Sequence, residues 1–186
     1  MSDTGKDVSL VFEQAANRNK VIVKTGIIGI IVNVLLAGFK ALVGSLAHSI
    51  SIILDAVNNL TDAISSVVTI IGAKFSAKRP DKKHPLGHGR AEYLSTMVIS
   101  ALVLYAGIAA LVESVKKIIH PEKPDYTAIT LVVIGVAVFV KIFLGLYFKK
   151  RGKAVDSGSL IASGSDALFD AVISVSVLAA AVVYLT

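Results

Sequence analysis

Five long apolar segments, separated by shorter polar connections, dominate this chain of 186 residues. Each segment approaches or exceeds the roughly 20 apolar residues that an α-helix needs to cross the hydrocarbon core of a bilayer. The pattern predicts a cytoplasmic N-terminal segment over residues 1–20 and a transmembrane domain over residues 21–186, with spans at 21–44, 49–75, 93–119, 126–148 and 160–185. It therefore indicates an all-α polytopic membrane protein, a bundle of about five transmembrane helices.

Basic residues are concentrated at the N-terminus and in alternate connections. They lie before the first span, between the second and third, and between the fourth and fifth: Lys6, Arg18, Lys20, Lys78, Arg79, Lys82, Lys83, Lys149, Lys150, Arg151 and Lys153. Cytoplasmic loops carry an excess of Lys and Arg, so we expect these regions and the N-terminus in the cytoplasm, and the protein in the plasma membrane. The net charge of +6 is then a topology signal. No nucleic-acid partner is predicted, because no pattern of stacking aromatic residues accompanies the charge.

Polar and acidic residues recur at helical spacing inside two of the predicted spans. They are Asp55, Asn58, Asn59, Asp62 and Ser66 in the second span, and Ser163, Asp166, Asp170 and Ser174 in the fifth. Residues three and four positions apart share one face of a helix. An ionised carboxylate at the bilayer centre costs about 2.5–3.5 kcal/mol, so these faces are expected to point into the bundle and to have a partner there.

Two kinds of partner satisfy this requirement. Lys40 in the first span and Lys141 in the fourth can neutralise the carboxylates, and the stripes are then structural ion pairs. Alternatively a dication neutralises the carboxylates. Asn58 and Asp166, counted from opposite membrane faces, both lie roughly 15 Å deep, so the two polar stripes reach a similar depth. Amide and carboxylate oxygens suit Mn²⁺, Mg²⁺ or Ca²⁺ better than zinc. The chain has no Cys to supply a soft thiolate ligand.

The connection between the second and third spans carries a distinctive motif, His84-Pro-Leu-Gly-His88-Gly-Arg90-x-Glu92. Together with Leu54-Asp55-Ala-Val-Asn58-Asn-Leu-Thr-Asp62, and with Lys40 followed by Gly44-Ser-Leu-Ala, it resembles the cation diffusion facilitator family over about Ile22 to Leu185. The chain looks most like the manganese-exporting bacterial members, although Leu86 stands where an aromatic residue is common. The resemblance implies a proton-coupled exporter of divalent cations, not an enzyme, that is usually a homodimer.

The resemblance also implies the ligands. Two residues four apart on the second span and two on the fifth form the family's transport site, and they correspond here to Asn58, Asp62, Asp166 and Asp170. A second register, with Ala162 and Asp166 on the fifth span, stays open. Family members that handle zinc commonly have a His at the position of Asp166, so its carboxylate favours manganese over zinc or iron(II). A possible second site in the loop would use Asp81, His84 and His88.

Several alternatives remain at this stage. The family has six spans and a cytoplasmic C-terminal domain, whereas this sequence ends at Thr186, so we expect the sixth helix and that domain to be missing from it. A truncated, non-transporting membrane subunit is therefore one alternative to an exporter. Another is an intramembrane aspartyl protease, in which two aspartates share a proton, but its Gly-x-Gly-Asp pattern is absent. No cofactor is predicted besides the transported cation.

Overall fold

The computed structural model describes residues 3–46, 48, 50–78, 87–119 and 127–185. Within these residues the chain forms five helices: α1 (Asp3–Leu46), α2 (Ile50–Ser76), α3 (Ala91–Ile119), α4 (Ala128–Ala154) and α5 (Gly158–Leu185). The predicted all-α fold class is confirmed. Judged by length and composition alone, α1, α3, α4 and α5 are apolar enough to cross a membrane. The polar stripe lowers the mean hydropathy of α2, so this helix is not among them.

Two helices extend well beyond the predicted spans. The 44 residues of α1 form a rod about 66 Å long, so the predicted N-terminal segment is helical from Asp3 onward. Helix α4 continues past Phe148 through a basic stretch to Ala154. Lys and Arg are good helix formers whose charged ends reach water, so these helices continue where the apolar pattern stops.

The helices pack mainly as two pairs, α1 with α2 and α4 with α5, while α3 lies against α2 and α5. Close approach of α4 and α5 depends on glycine. A Cβ atom at Gly145 would lie 2.9 Å from the carbonyl oxygen of Gly164 and 2.7 Å from Cγ of Leu168. Small residues at such contacts are typical of helix packing in membranes, where backbones approach closely to gain van der Waals contact.

The interior of this bundle carries many polar groups, whereas its surface is strongly apolar. Fully or nearly fully buried residues include Thr25, Asn33, Asn59, Thr69, Lys40 and Lys141, and exposed ones include Leu35, Leu104, Phe139 and Phe143. An apolar surface of this extent is the opposite of what a water-soluble protein presents and is expected where lipid surrounds the bundle, whose interior can then hold polar groups. An apolar core of Ile22, Ala73, Leu144, Phe148 and Leu160 closes the end of the bundle that carries the α4–α5 turn.

An arginine on α1 reinforces that closed end. Arg18 donates from Nε to the carbonyl oxygen of Val155 at 2.7 Å and from Nη2 to that of Asp156 at 2.8 Å. Its Nη1 also forms an ion pair with Glu92 on α3, at 2.7 Å. The last carbonyls of a helix have no intrahelical partner, so the guanidinium caps α4 and complements its dipole. One side chain thus joins α1, α3 and the α4–α5 turn.

The glycine contact between α4 and α5 generates a stability prediction. We expect Gly145→Ala to lower the free energy of unfolding by about 1–3 kcal/mol, because the added methyl group forces the two backbones apart. Gly135→Ala is the matched control on the same helix, since a Cβ there meets nothing within 4 Å. Thermal unfolding of both variants in nanodiscs measures the difference. Equal stability of the two variants would contradict the packing described here.

Candidate functional site

A buried lysine lies at the centre of the polar interior. Lys141 on α4 donates from Nζ to Oδ2 of Asp170 on α5 at 2.6 Å, and to Oδ2 of Asp62 on α2. The lysine is 4% exposed, and both carboxylates are mostly buried. Hydrogen bonds between charged groups are the strong ones, and here they hold an ammonium between two carboxylates at mid-helix depth. The contact joins α2, α4 and α5 at one point.

A cavity of about 480 Å³ opens beside this ion pair. All five helices contribute to its wall, which is lined by Lys40, Asp55, Asn58, Asn59, Val103, Ala106, Gly107, Ala110, Ala137, Lys141, Asp166, Phe169, Asp170, Val172, Ile173 and Ser174. Its polar residues come from α1, α2, α4 and α5, whereas the described side chains that α3 contributes are small and apolar. The cavity extends towards the end of the bundle that carries the α1–α2 turn, opposite the closed end.

A second ion pair lies nearer to that turn. Lys40 on α1 contacts Asp55 on α2, with 2.7 Å between Nζ and Oδ2. The lysine side chain is 3% exposed, but that of Asp55 is 44% exposed and faces the cavity. The two lysines that the sequence offered as possible counter-charges therefore have different carboxylate partners, one near the cavity entrance and one at its base.

A very small void lies on the other side of Lys141. It measures about 10 Å³ and is lined by residues of α1, α2, α4 and α5, among them Asn33, Asp62, Lys141, Ser163 and Asp166. Oδ1 of Asn33 and Oγ of Ser163 are buried here without a hydrogen-bond partner in the described part of the chain. Unsatisfied buried polar atoms are rare and costly, so these two oxygens mark a position where a donor fits. Lys141 and Asp166 line both the void and the large cavity.

The predicted site residues are brought together to different degrees. Asn58, Asp166 and Asp170 line the large cavity, and Asp62 lies beyond it, beside the small void, where it is joined to Asp170 through Lys141. Ala162, the alternative fifth-span position, lines neither space. Among the residues that the structure describes, no three His, Asp or Glu side chains converge as a ready metal cluster. Instead, the Lys141 ammonium lies between Asp62 and Asp170.

The predicted loop site is only partly visible. Asp81 and His84 lie outside the described residues, whereas His88 is half-buried in the bend before α3. The loop site therefore stays a prediction.

Sequence reasoning missed two residues with structural roles at the closed end, Arg18 and Glu92. Arg18 was interpreted only as part of the basic topology signal, and Glu92 only as part of a motif. Arg18 lies 137 residues from its acceptor Val155, and no local pattern indicates a contact at that separation. The sequence holds two weak signals for an interhelical pair. Arg18 lies beside apolar helix positions, and Glu92 lies in the first turn of α3.

These features define a class. The molecule is a polytopic α-helical membrane protein whose interior holds acidic side chains beside a cavity, an arrangement that in membranes marks an ion pathway. The family model for the cation efflux transmembrane domain matches residues 26–186. The chain therefore belongs to the cation efflux family, the cation diffusion facilitators, whose members are transporters. The predicted family is confirmed.

Characterised relatives are similar across most of the chain. The manganese efflux system protein MneS of Bacillus subtilis is 32% identical over 80% of this chain and 51% of its own length. MneP, a second manganese efflux system protein of the same organism, is 28% identical over 87% of this chain and 54% of its own length. The magnetosome protein MamM of Paramagnetospirillum magneticum is 33% identical over 73% of this chain and 42% of its own length. The chain thus spans about half the length of the curated relatives it matches.

The Lys40–Asp55 pair makes an asymmetric prediction. We expect Asp55→Asn to lower the free energy of unfolding, because it leaves the nearly inaccessible Lys40 ammonium unpaired. Breaking a buried pair costs about 3–5 kcal/mol, and we expect a loss near the lower end of that range. Lys40→Met is expected to cost about 1 kcal/mol or less, because the exposed Asp55 carboxylate stays hydrated by the cavity. Unfolding of the two variants in nanodiscs compares the costs. A Lys40→Met variant that is as unstable as Asp55→Asn would show that the cavity does not hydrate Asp55.

Proposed function

We propose that this protein is a divalent metal cation efflux transporter that exports Mn²⁺ in exchange for protons, and that Asn58, Asp62, Asp166 and Asp170 form its transport site. The observation that carries the proposal is the cavity near the middle of the helices, with Asn58, Asp166 and Asp170 in its wall and Asp62 joined to it through Lys141. Membership of the cation efflux family supports the same reading.

Charge supports a divalent cargo. The three carboxylates carry a formal charge of minus three, and the Lys141 ammonium reduces it to minus two. Lys40 and Asp55 cancel each other. One dication therefore neutralises the interior, which matters because charge in a low-dielectric membrane core is costly unless compensated.

The donor set supports manganese. Among the described residues that line the cavity, the polar side chains supply amide, hydroxyl and carboxylate oxygens together with the two lysines, and none supplies an imidazole. Oxygen ligands suit Mn²⁺, whereas zinc sites usually include nitrogen or sulfur. Two of the relatives bear the name manganese efflux system protein, which favours the same ion. Asp170 lines the cavity and Ala162 does not, which favours the Asp166 and Asp170 pairing.

Exchange follows from competition for the carboxylates. A carboxylate must be deprotonated to bind a metal ion, so protons and Mn²⁺ displace one another at the site. With the N-terminus in the cytoplasm of a plasma-membrane protein, the cavity opens outwards and the core around Phe148 closes the inward end. This is the release state expected of an exporter that works by alternating access. Pairing of two copies into a homodimer, as the family resemblance implies, belongs to the same proposal.

Binding and transport test the site directly. We expect the purified chain in nanodiscs to bind Mn²⁺, seen as loss of the free-ion signal in electron paramagnetic resonance, and to move Mn²⁺ across liposomes under a pH gradient. Asp62→Ala and Asp170→Ala should each weaken binding and slow transport at least tenfold, because each removes a ligand. Glu13→Ala, which removes an exposed carboxylate on α1, is the control. Binding that is the same in all four proteins would refute the site.

Selectivity tests the role of Asp166. We expect Asp166→His to shift the ratio of Mn²⁺ to Zn²⁺ affinity towards zinc by at least tenfold, since imidazole nitrogen is a better ligand for Zn²⁺ than for Mn²⁺. Competition between the two ions, measured by isothermal titration on wild type and variant, gives the ratio. Ser174→His is the control, because it places an imidazole in the cavity wall one turn beyond Asp170. An unchanged ratio in Asp166→His would count against Asp166 as a ligand.

A further inference from the structure

A lysine occupies the position where the proposed transport site needs its metal ion. The Nζ atom of Lys141 contacts the Oδ2 atoms of both Asp62 and Asp170, which come from the two helices that supply the proposed ligands. Because the contacts converge from two helices, the ammonium takes the central place between the carboxylates. A dication and this ammonium require the same oxygens.

Mutual exclusion follows from elementary electrostatics. Two positive groups that share the same pair of carboxylate oxygens repel each other strongly at a few ångströms in a membrane interior. A metal ion that enters from the cavity must therefore move the ammonium away. Lysine is suited to such a displacement, because its charge is carried on a flexible four-carbon chain.

The small void marks the side towards which the ammonium can move, and it must widen from about 10 Å³ to admit the group. Lys141 and Asp166 line both the void and the large cavity, whereas Asn33, Asp62 and Ser163 line only the void. Oδ1 of Asn33 and Oγ of Ser163 are buried acceptors that have no hydrogen-bond partner among the described residues. An ammonium has three donors, so it can satisfy both atoms while remaining buried. A second position of the Lys141 side chain would thus give these two oxygens the hydrogen-bond donor that they lack in the present arrangement.

We propose that Lys141 is a tethered counter-cation of the transport site. It holds Asp62 and Asp170 together when the site is empty, moves towards Asn33 and Ser163 when a dication enters, and returns to the carboxylates as the dication leaves. The proposal rests on the proposed function, since it assumes that these carboxylates bind the transported ion. In this role Lys141 positions Asp62 and Asp170. It also competes with the metal ion for their oxygens and so prevents the ion from being retained.

The first test removes the competitor. Lys141→Met keeps an unbranched, flexible side chain, one atom shorter than that of lysine, but removes its charge. We expect it to lower the Kd for Mn²⁺ at least tenfold, to slow Mn²⁺ dissociation by a similar factor, and to slow transport in liposomes. Lys40→Met is the matched control, because Lys40 is an equally buried cation in the wall of the same cavity with a different carboxylate partner. We expect it to lower the Kd by a clearly smaller factor, because the Asp55 carboxylate that it leaves unpaired is not one of the proposed ligands.

The second test removes the acceptors. Asn33→Leu and Ser163→Ala leave the carboxylates and Lys141 in place, so the displaced ammonium loses its hydrogen bonds. We expect each variant to weaken Mn²⁺ binding at least threefold. These variants also keep the proposal testable if Lys141→Met does not fold without metal. In that case added Mn²⁺ should raise the thermal stability of Lys141→Met more than that of wild type, since ligand binding stabilises the folded state.

The outcomes separate this inference from the proposed function. If the wild-type chain binds no Mn²⁺, the transport site itself is refuted. If binding requires Asp62 and Asp170 but Lys141→Met binds no more tightly than wild type, the tethered counter-cation alone is refuted. Equal tightening by Lys141→Met and Lys40→Met would also overturn it, because the effect would then be one of general charge and not of displacement.

Discussion

An ion pair near the middle of its helices links α2, α4 and α5. Helix α1 packs on α2 and α4 packs on α5, but α2 and α5 share few contacts of their own. Lys141 joins them, because its ammonium reaches Asp62 on one helix and Asp170 on the other. Without the lysine, three carboxylates would face one another in a medium where each charge is costly. The buried cation thus adds a polar link between the two halves of the bundle, which α3 and Arg18 also join.

The polar interior has a second consequence. In lipid, apolar side chains gain little by leaving the surface, so packing comes from close backbone approach and from polar contacts between helices. Gly145 and Gly164 permit the first between α4 and α5, and the lysine–aspartate pairs provide the second. A bundle built in this way can contain a cavity without losing a large apolar core. The cavity is therefore compatible with the stability of the protein.

Hydrophobic periodicity was sufficient to predict the helices and the polar faces of α2 and α5. Stripes at three- and four-residue spacing can face only the interior when lipid surrounds the bundle, so Asp62 and Asp170 were identifiable from sequence. Their partner was not, because Lys40 and Lys141 are both lone lysines in apolar segments. Which lysine meets which carboxylate depends on helix rotation and neighbours, and the Asp62–Lys141 contact spans 79 residues. The same limit explains why the contacts of Arg18 were missed.

The two ends of the bundle differ, because one is closed by packing and hydrogen bonds and the other is reached by the cavity. This difference bears on how the bundle would open during the alternating access proposed for it. Apolar packing around Phe148 and the hydrogen bonds of Arg18 close one end, whereas a cavity with a partly exposed Asp55 reaches the other. Opening the closed end requires both the packing and the Arg18 contacts to break, because Arg18 ties α1 to the α4–α5 turn. Since α1 packs with α2 and α4 with α5, the bundle divides most easily between these pairs. Lys141 lies between these pairs, because its ammonium contacts Asp62 on α2 and Asp170 on α5, so the proposed displacement by a dication would act there.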